Sequence, residues 1–232
     1  MSRTVVVHQP DFLPYLGFFH RFLRADVYLA LDHVQFVQHT SRAWTHRDKI
    51  KTRGGAAWLS VSVQKCPLDT AIKDVELSSD RSWRAANLNL LTENYRRAPF
   101  YEAVFARLDE IYRMPIDRLA AFNTAFIDLV CDWLGIAIER ARSSDLAPTD
   151  RKSEMIAGLV AAVGGTRYLS GIGARDYHDQ APFERRGIEV VWQDFKHPVY
   201  PQQFGEFVPY LSTIDALFNC GPEETVRMLR SC

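Results

Sequence analysis

The 232-residue chain reads as an α/β protein with a mixed, mainly parallel sheet flanked by helices and a helical insertion or cap in the middle of the chain. Three observations predict this class. The first 36 residues run strand, helix, strand, which is the length of a right-handed βαβ unit. Residues from about 80 to 134 carry helical periodicity alone. Beyond them strands and helices alternate again. The sequence has no internal repeat and no low-complexity linker, so one domain over 1–232, with its helical insertion at about 80–134, is expected rather than two.

Each element follows from local pattern. The run TVVV at 4–7 fits a short strand buried on both faces, and FLPYLGFFHRFLRA then sets Leu16, Phe19, Phe22 and Leu23 at helical spacing. The β-branched and aromatic content of DVYLALDHVQF predicts the second strand. AAWLSVSV and IKDVEL, separated by the turn signal CPLD, predict a hairpin. Asp80 is a suitable N-cap for a helix carrying Trp83, Leu88, Leu91 and Tyr95, and Ala98-Pro99 restarts the chain into a helix with Val104, Leu108 and Ile111. Pro115 suits the first turn of a third helix, whose Leu119, Phe122, Phe126, Val130 and Trp133 form one apolar face up to Gly135. The tail then predicts IAIERA as strand, KSEMIAGLVAAVG as helix, TRYLS as strand before a glycine turn and short helix, and GIEVVWQDF as strand. LSTIDALFN and PEETVRMLR close the chain as helical segments.

Composition narrows the function. Lys and Arg number 28 against 28 Asp and Glu, so no global positive field exists to hold nucleic acid or an anionic membrane, although a local basic patch remains compatible. With 12 glycines, 11 prolines and 12% aromatic residues, collagen-like, disordered and coiled-coil classes are excluded. Cys66, Cys131, Cys220 and Cys232 are scattered without CxxC pairing or clustering with histidine, so neither a disulfide framework nor a metal site is indicated. The first residues offer a three-residue apolar run before His8, and no stretch approaches about 18 apolar residues. A cytoplasmic protein with no membrane insertion is therefore expected.

Four constellations can carry chemistry. His8-Gln9-Pro10 directly follows the first strand, where ligands collect in α/β sheets, so His8 is either a general base or a histidine tied into a turn stiffened by Pro10 and Pro14. Asp32, His33 and Gln35 end the second strand, and on a parallel neighbour Asp32 or Gln35 would face His8 and orient its imidazole. The segment SRAWTHRDKIKTRGG gathers Arg42, His46, Arg47, Lys49, Lys51 and Arg53 around Trp44; it reads as a phosphate-gripping, base-stacking loop or as a solvated one. YLSGIGARDY, with Ser170, Gly171 and Gly173 before a short helix, has the plan of an anion site, but it is neither a dinucleotide fingerprint nor a Walker loop. Finally, HPVYPQQF and FVPYLSTIDALFNCG bring His197, Tyr200, Gln202 and Gln203 before Ser212 and Asp215, which suit a capping box. No GxSxG nucleophile elbow is present, and each cysteine reads as structural.

Read together, HQPDFLPYLGFF, ADVYLALDHVQF, WTHRDKIKT before WLSVSV, RYLSGIGARDY, HPVYPQQF and LSTIDALFNCG resemble the WbqC-like family over nearly the whole chain. Where family members commonly read Asn-Arg-Asn after the tryptophan, this chain reads His46-Arg47-Asp48, which makes Arg47 the residue that carries over. The family is associated with bacterial surface-polysaccharide (O-antigen) and secondary-metabolite gene clusters. The resemblance thus implies modification of an activated sugar or amine.

The function expected from this is transfer of an acyl or aminoacyl group, such as glycyl, from a thioester to an amino group on a sugar nucleotide or related metabolite. His8, oriented by Asp32, would be the base; Arg47 and Lys51 would hold phosphate; Gln9, Gln35, Ser170, Tyr200 and Gln203 would complete the substrate site. The sequence requires no bound cofactor. Coenzyme A or carrier-protein phosphopantetheine would bring the thioester, which makes an acyl or peptidyl carrier protein a candidate partner, and nucleic acid is not expected as one. The first 36 residues also resemble pantoate-ligase and nucleotidyltransferase domains, but the stretch Pro14-Tyr15-Leu16-Gly17-Phe18 keeps the glycine of their HxGH signature and loses both histidines. A non-catalytic binding protein of a biosynthetic complex is the third reading. A cavity at the sheet rim gathering His8, Arg47 and Tyr200 would favour an enzyme, and a flat surface a scaffold.

Overall fold

The computed structural model describes residues 2–38, 40 and 43–232. Strand β1 (Thr4–His8), helix α1 (Leu16–Phe22) and strand β2 (Val27–Ala30) form the expected βαβ unit. A two-stranded antiparallel hairpin follows, β3 (Arg47–Thr52) with β4 (Gly55–Ser60). Helices α2 (Ser82–Tyr95), α3 (Tyr101–Arg113) and α4 (Leu119–Leu134) then run in succession, and Gly135 ends α4 in the left-handed conformation, φ 60°, that glycine adopts without strain. The chain returns through β5 (Glu139–Arg142), the short α5 (Ser143–Leu146), α6 (Lys152–Ala162) and β6 (Arg167–Ser170). A 3-10 turn at Ile172–Tyr177, α7 (Ala181–Glu184), β7 (Glu189–Trp192) and α8 (Thr213–Arg230) complete it.

The main sheet has the order β5-β2-β1-β6-β7, with every neighbouring pair parallel. From the central β1 the chain winds outward through β2 and β5, then returns to the other side of β1 for β6 and β7. The order therefore reverses between β1 and β6. In doubly wound sheets the crevice beyond the strand ends at such a reversal is where ligands lie.

Alternate side chains of the inner strands enter two different cores. Val6, Tyr28, Ala30 and Leu169 face a large core shared with α1, the hairpin, α2 to α4 and α8. Val5, Val7, Val27, Leu29 and Tyr168 face a smaller one completed by α6 and α7. Both faces of the sheet are thus covered, as the continuous apolar run at 5–7 requires.

Several expected boundaries shift. β2 stops at Ala30, so Asp32, His33 and Gln35 lie beyond the strand. The partner of β4 is the charged segment 47–52 rather than IKDVEL, which forms a 3-10 turn at Ile72–Asp74. Turn chemistry explains this: Arg53 and Gly54 link strands that close at Thr52 and Gly55, with Gly55 at φ 104°. Pro115 precedes α4 by four positions instead of opening it. The last two helical segments merge across a kink at Gly221, φ 76°, where a side chain would meet the Phe100 ring 2.6 Å away.

One buried amide ties the site-forming segments to the helical layer. Asn123 on α4 donates from Nδ2 to the carbonyls of Pro10 at 2.7 Å and Thr45 at 2.6 Å, while the Phe12 amide donates to the Trp44 carbonyl at 3.1 Å. The loop after β1 and the approach to β3 are thereby held side by side. Asn123→Ala leaves two buried carbonyls unsatisfied, and urea unfolding is expected to report a loss of roughly 2–4 kcal/mol; a loss below about 0.5 kcal/mol would remove the clamp from this account.

Candidate functional site

A cavity of about 1170 Å³ opens at the reversal between β1 and β6. His8 and Gln9 enter it from the end of β1, Arg21 from α1, Trp44 and Asp48 from the approach to and start of β3, and Ser170 and Gly171 from the end of β6. Tyr15, Phe195 and Tyr210 supply aromatic wall.

Arg21 is the unusual group. It is 3% exposed, its Nε is buried without a hydrogen-bond partner, and among the described residues its guanidinium makes no hydrogen bond or ion pair. A Cβ placed at Gly171 would stand 3.7 Å from Nη1, so the side chain reaches from α1 to the end of β6. The Phe18 ring, 5.7 Å from the guanidinium carbon, gives it a weak π contact. Burial pulls its pKa down, and the surrounding Tyr15, Tyr168 and Asp11 oppose that only in part. A buried cation without a counter-ion is costly, which makes the cavity complementary to an anion.

His8 and Asp11 form the second element. His8 Nδ1 lies 3.1 Å from the Gln9 carbonyl and 3.4 Å from Asp11 Oδ2, an arrangement that places the ring proton on Nδ1 and directs Nε2 to the cavity as an acceptor. Burial first, and the positive field of Arg21 second, pull the imidazole pKa down to about 3, so the ring is neutral at physiological pH. The Phe18 ring meets it edge-on with centroids 5.3 Å apart. Asp11, 6% exposed, is pushed up to about 7 by burial, against the opposing influence of Arg21 and of the Thr45 hydroxyl, which lies 3.5 Å from Oδ1. Thr45 also donates to Gln9 Oε1 at 3.1 Å, which fixes the loop from the hairpin side.

Asp48 is a second buried carboxylate. It is 4% exposed; Oδ1 accepts from the Lys49 amide at 2.6 Å, and no cation among the described residues pairs with it. Burial, with Asp11 nearby, raises its pKa well above the carboxylate range. The Lys49 ammonium lies 5.0 Å from the Trp58 ring and opposes that rise only through its field.

Of the catalytic and substrate-binding residues that the sequence nominated, the structure brings His8, Gln9 and Ser170 into this cavity, together with Trp44, Gly171 and Gly173 of the predicted loops. Ser170 is engaged there, its hydroxyl donating to the Tyr168 hydroxyl oxygen at 3.2 Å. Asp32 does not orient His8: its carboxylate accepts from Ser143 Oγ at 3.0 Å and from the Ser144 amide and hydroxyl at 2.9 and 2.8 Å, at the start of α5. The carboxylate beside His8 is Asp11, three residues on. Gln35 donates to the Leu68 carbonyl outside the cavity. Arg47 donates to the Thr40 carbonyl at 2.8 Å and lies over the Trp58 ring at 4.2 Å. Lys51 is buried on the hairpin, with its ammonium on the Glu206 carbonyl and its amide donating to the Tyr95 hydroxyl. Tyr200 donates to Asp215 Oδ2 at 2.9 Å, and Gln203 to Asn219 Oδ1 at 3.2 Å.

These last contacts belong to a separate buried network centred on Asp215, whose carboxylate also accepts from Tyr95 at 2.7 Å and Gln202 at 2.9 Å. Ser212 does cap α8, accepting from the Ile214 amide at 3.4 Å, but its own amide donates to the Lys49 carbonyl, so Asp215 completes no capping box. No role for Arg21, Asp11 or Asp48 follows from the sequence pattern alone. Arg42 lies outside the described residues, and among the described residues no group of three His, Cys, Asp or Glu side chains could hold a metal ion.

The model of the WbqC-like protein family matches residues 9–227. An uncharacterized protein of Mycobacterium tuberculosis is 32% identical over 224 residues, 95% of each chain. No solved structure matches. The chain belongs to the WbqC-like protein family. No helix of the described residues is long and apolar enough to cross a membrane.

Asp11 couples stability to pH. Because the folded-state pKa is raised from 3.8 to about 7, the native state holds the extra proton between those values, and stability from this group falls as pH rises through that window. Asp11→Asn is expected to stabilise the protein at pH 8 by about 2–4 kcal/mol, with the gain gone below pH ~3.8. Chemical unfolding at pH 3.5 and pH 8 reads both; destabilisation at pH 8 would contradict the assignment.

Proposed function

We propose that this family member transfers an acyl or aminoacyl group from a thioester to the amino group of an anionic small molecule, with sugar nucleotides the expected acceptor class. The observation behind the reading is the convergence in one cavity of an uncompensated Arg21 with His8, whose Nδ1 is held by Asp11 and the Gln9 carbonyl while Nε2 is open. Arg21 anchors the acceptor's phosphate or carboxylate. Burial is the larger cause of the depressed imidazole pKa and the field of Arg21 the second; a bound anion offsets the second, so His8 becomes a better base when substrate is in place.

The chemistry then balances without an enzyme nucleophile. The acceptor ammonium gives one proton to His8 Nε2, and its nitrogen adds to the thioester carbonyl. Collapse of the adduct breaks the carbon–sulfur bond; the imidazolium protonates the departing thiolate, and the second ammonium proton passes to solvent. Asp11 stabilises the imidazolium between these steps. None of the four cysteines lines the cavity, which fits direct transfer.

A second reading, nucleotidyl transfer, has the sheet order on its side, because a reversal next to β1 is also where doubly wound sheets hold nucleotides. Against it stands Gly17. A Cβ there would lie 2.4 Å from the Tyr15 ring, so this glycine is covered by a side chain rather than left open to a nucleotide.

Incubation with acyl and aminoacyl coenzyme A thioesters and amino-sugar nucleotides, followed by mass spectrometry and thiol assay, tests the reading. Amide product and free thiol are expected, with His8→Ala lowering kcat at least about 100-fold while acceptor binding persists. Full activity of that variant would remove His8 from the mechanism. Pyrophosphate release from ATP or CTP without thioester consumption would select nucleotidyl transfer instead.

A further inference from the structure

Arg21 accounts for an anion in the cavity but leaves a second imbalance. Asp48 and Asp11 are two carboxylates, each more than nine-tenths buried, and among the described residues neither has a Lys or Arg within ion-pair distance; Lys49 and Arg21 act on them only through their longer-range fields. Asp48 Oδ1 is used by the Lys49 amide; Oδ2 has no hydrogen-bond donor among the described residues, yet it is not one of the sealed, unpartnered atoms, so it opens to the cavity that Asp48 lines. Aromatic rings line the same cavity. Tyr15, whose ring packs against Tyr210 at 6.2 Å and Phe195 at 6.1 Å, and Trp44 all face the same space. A carboxylate oxygen in a cavity lined with aromatic rings is complementary to an organic ammonium, which gains both a charge-assisted hydrogen bond and attraction to the ring faces. Arg21 is the independent sign that this space is built for a ligand, since it is a buried, unpartnered cation lining the same cavity.

We propose that Asp48 is the ammonium-binding residue of the cavity, so that its ligand carries a primary amine together with the anionic group taken by Arg21. The proposal rests on the transfer reading for what happens to that amine, and names the group that selects it. Asp48 is a positioning and specificity residue: it holds the amine where His8 Nε2 takes its proton, and it discriminates an amine from a hydroxyl because only an ammonium offsets the cost of ionising the buried acid.

Matched pairs test this. Glucosamine 6-phosphate against glucose 6-phosphate, and O-phosphoethanolamine against ethyl phosphate, keep an anion and differ in the amine. Binding is measured by calorimetry with the wild type and Asp48→Asn. In at least one pair the wild type is expected to bind the amine at least about tenfold more tightly. Asp48→Asn is expected to abolish that preference while its affinity for the non-amine member stays within about twofold, which also shows that the variant is folded. Absence of an amine preference in both pairs, or its persistence in Asp48→Asn, would overturn the proposal. The outcome is separate from the transfer reading: thioester consumption that depends on His8 while Asp48→Asn keeps its amine preference would leave transfer standing and sink this inference, whereas an Asp48-dependent preference without thioester consumption would do the reverse.

Discussion

A guanidinium buried without a counter-ion is the constraint around which the cavity is arranged. Arg21 sits in a helix that is buried on every side, and its Nε has no partner. Uncompensated burial of this kind costs several kcal/mol even after relaxation, and the protein recovers only part of it from tyrosine oxygens, Asp11 and one aromatic face. The same charge depresses His8 and draws Asp11 down from where burial alone would set it. Both titratable groups are therefore tuned by one side chain, and an anion arriving at Arg21 changes the two together.

The fold makes that arrangement tolerable. Winding outward from β1 in both directions leaves the ends of β1 and β6 without a covering crossover, and this gap is where polar groups can be buried yet reached by ligand. The helical layer does more than cap the sheet: Asn123 grips both the His8–Asp11 loop and the approach to the hairpin that carries Asp48. Asp32, one strand over, performs a structural task at the start of α5. Residues of the same type near the same rim thus divide between holding the frame and facing the ligand.

Much of the fold was legible because it rests on local pattern. The buried run at 5–7, the helical spacing after it and the glycine stop at 135 each appear where periodicity and turn chemistry put them. The hairpin was not, since the β3 sequence Arg-Asp-Lys-Ile-Lys-Thr hides its buried side among charged residues whose burial depends on distant partners such as Tyr95 and Glu206. The same limit governs the site. His8 was found because it ends a buried strand, whereas Arg21 lies off the apolar stripe of α1 and reads as solvated until the cavity is seen to cover that face. Strand adjacency predicts Asp32 or Gln35 facing His8; the loop after β1 instead turns back on itself, with the Asp11 amide donating to the Gln9 carbonyl, and brings a carboxylate to its own histidine. Tyr200, Lys51 and Gln203 were drawn in by polar character that serves other buried contacts.

The most direct measurement compares thermal unfolding of the wild type and Arg21→Met, each alone and with UDP or inorganic phosphate. If Arg21 is an uncompensated cation awaiting an anion, the methionine variant without ligand melts a few degrees higher than the wild type, because an apolar side chain of similar length replaces a buried charge. Its melting temperature then no longer responds to UDP or phosphate, whereas that of the wild type rises with ligand concentration. A variant that melts lower without ligand and keeps the wild-type response to both anions would contradict the account.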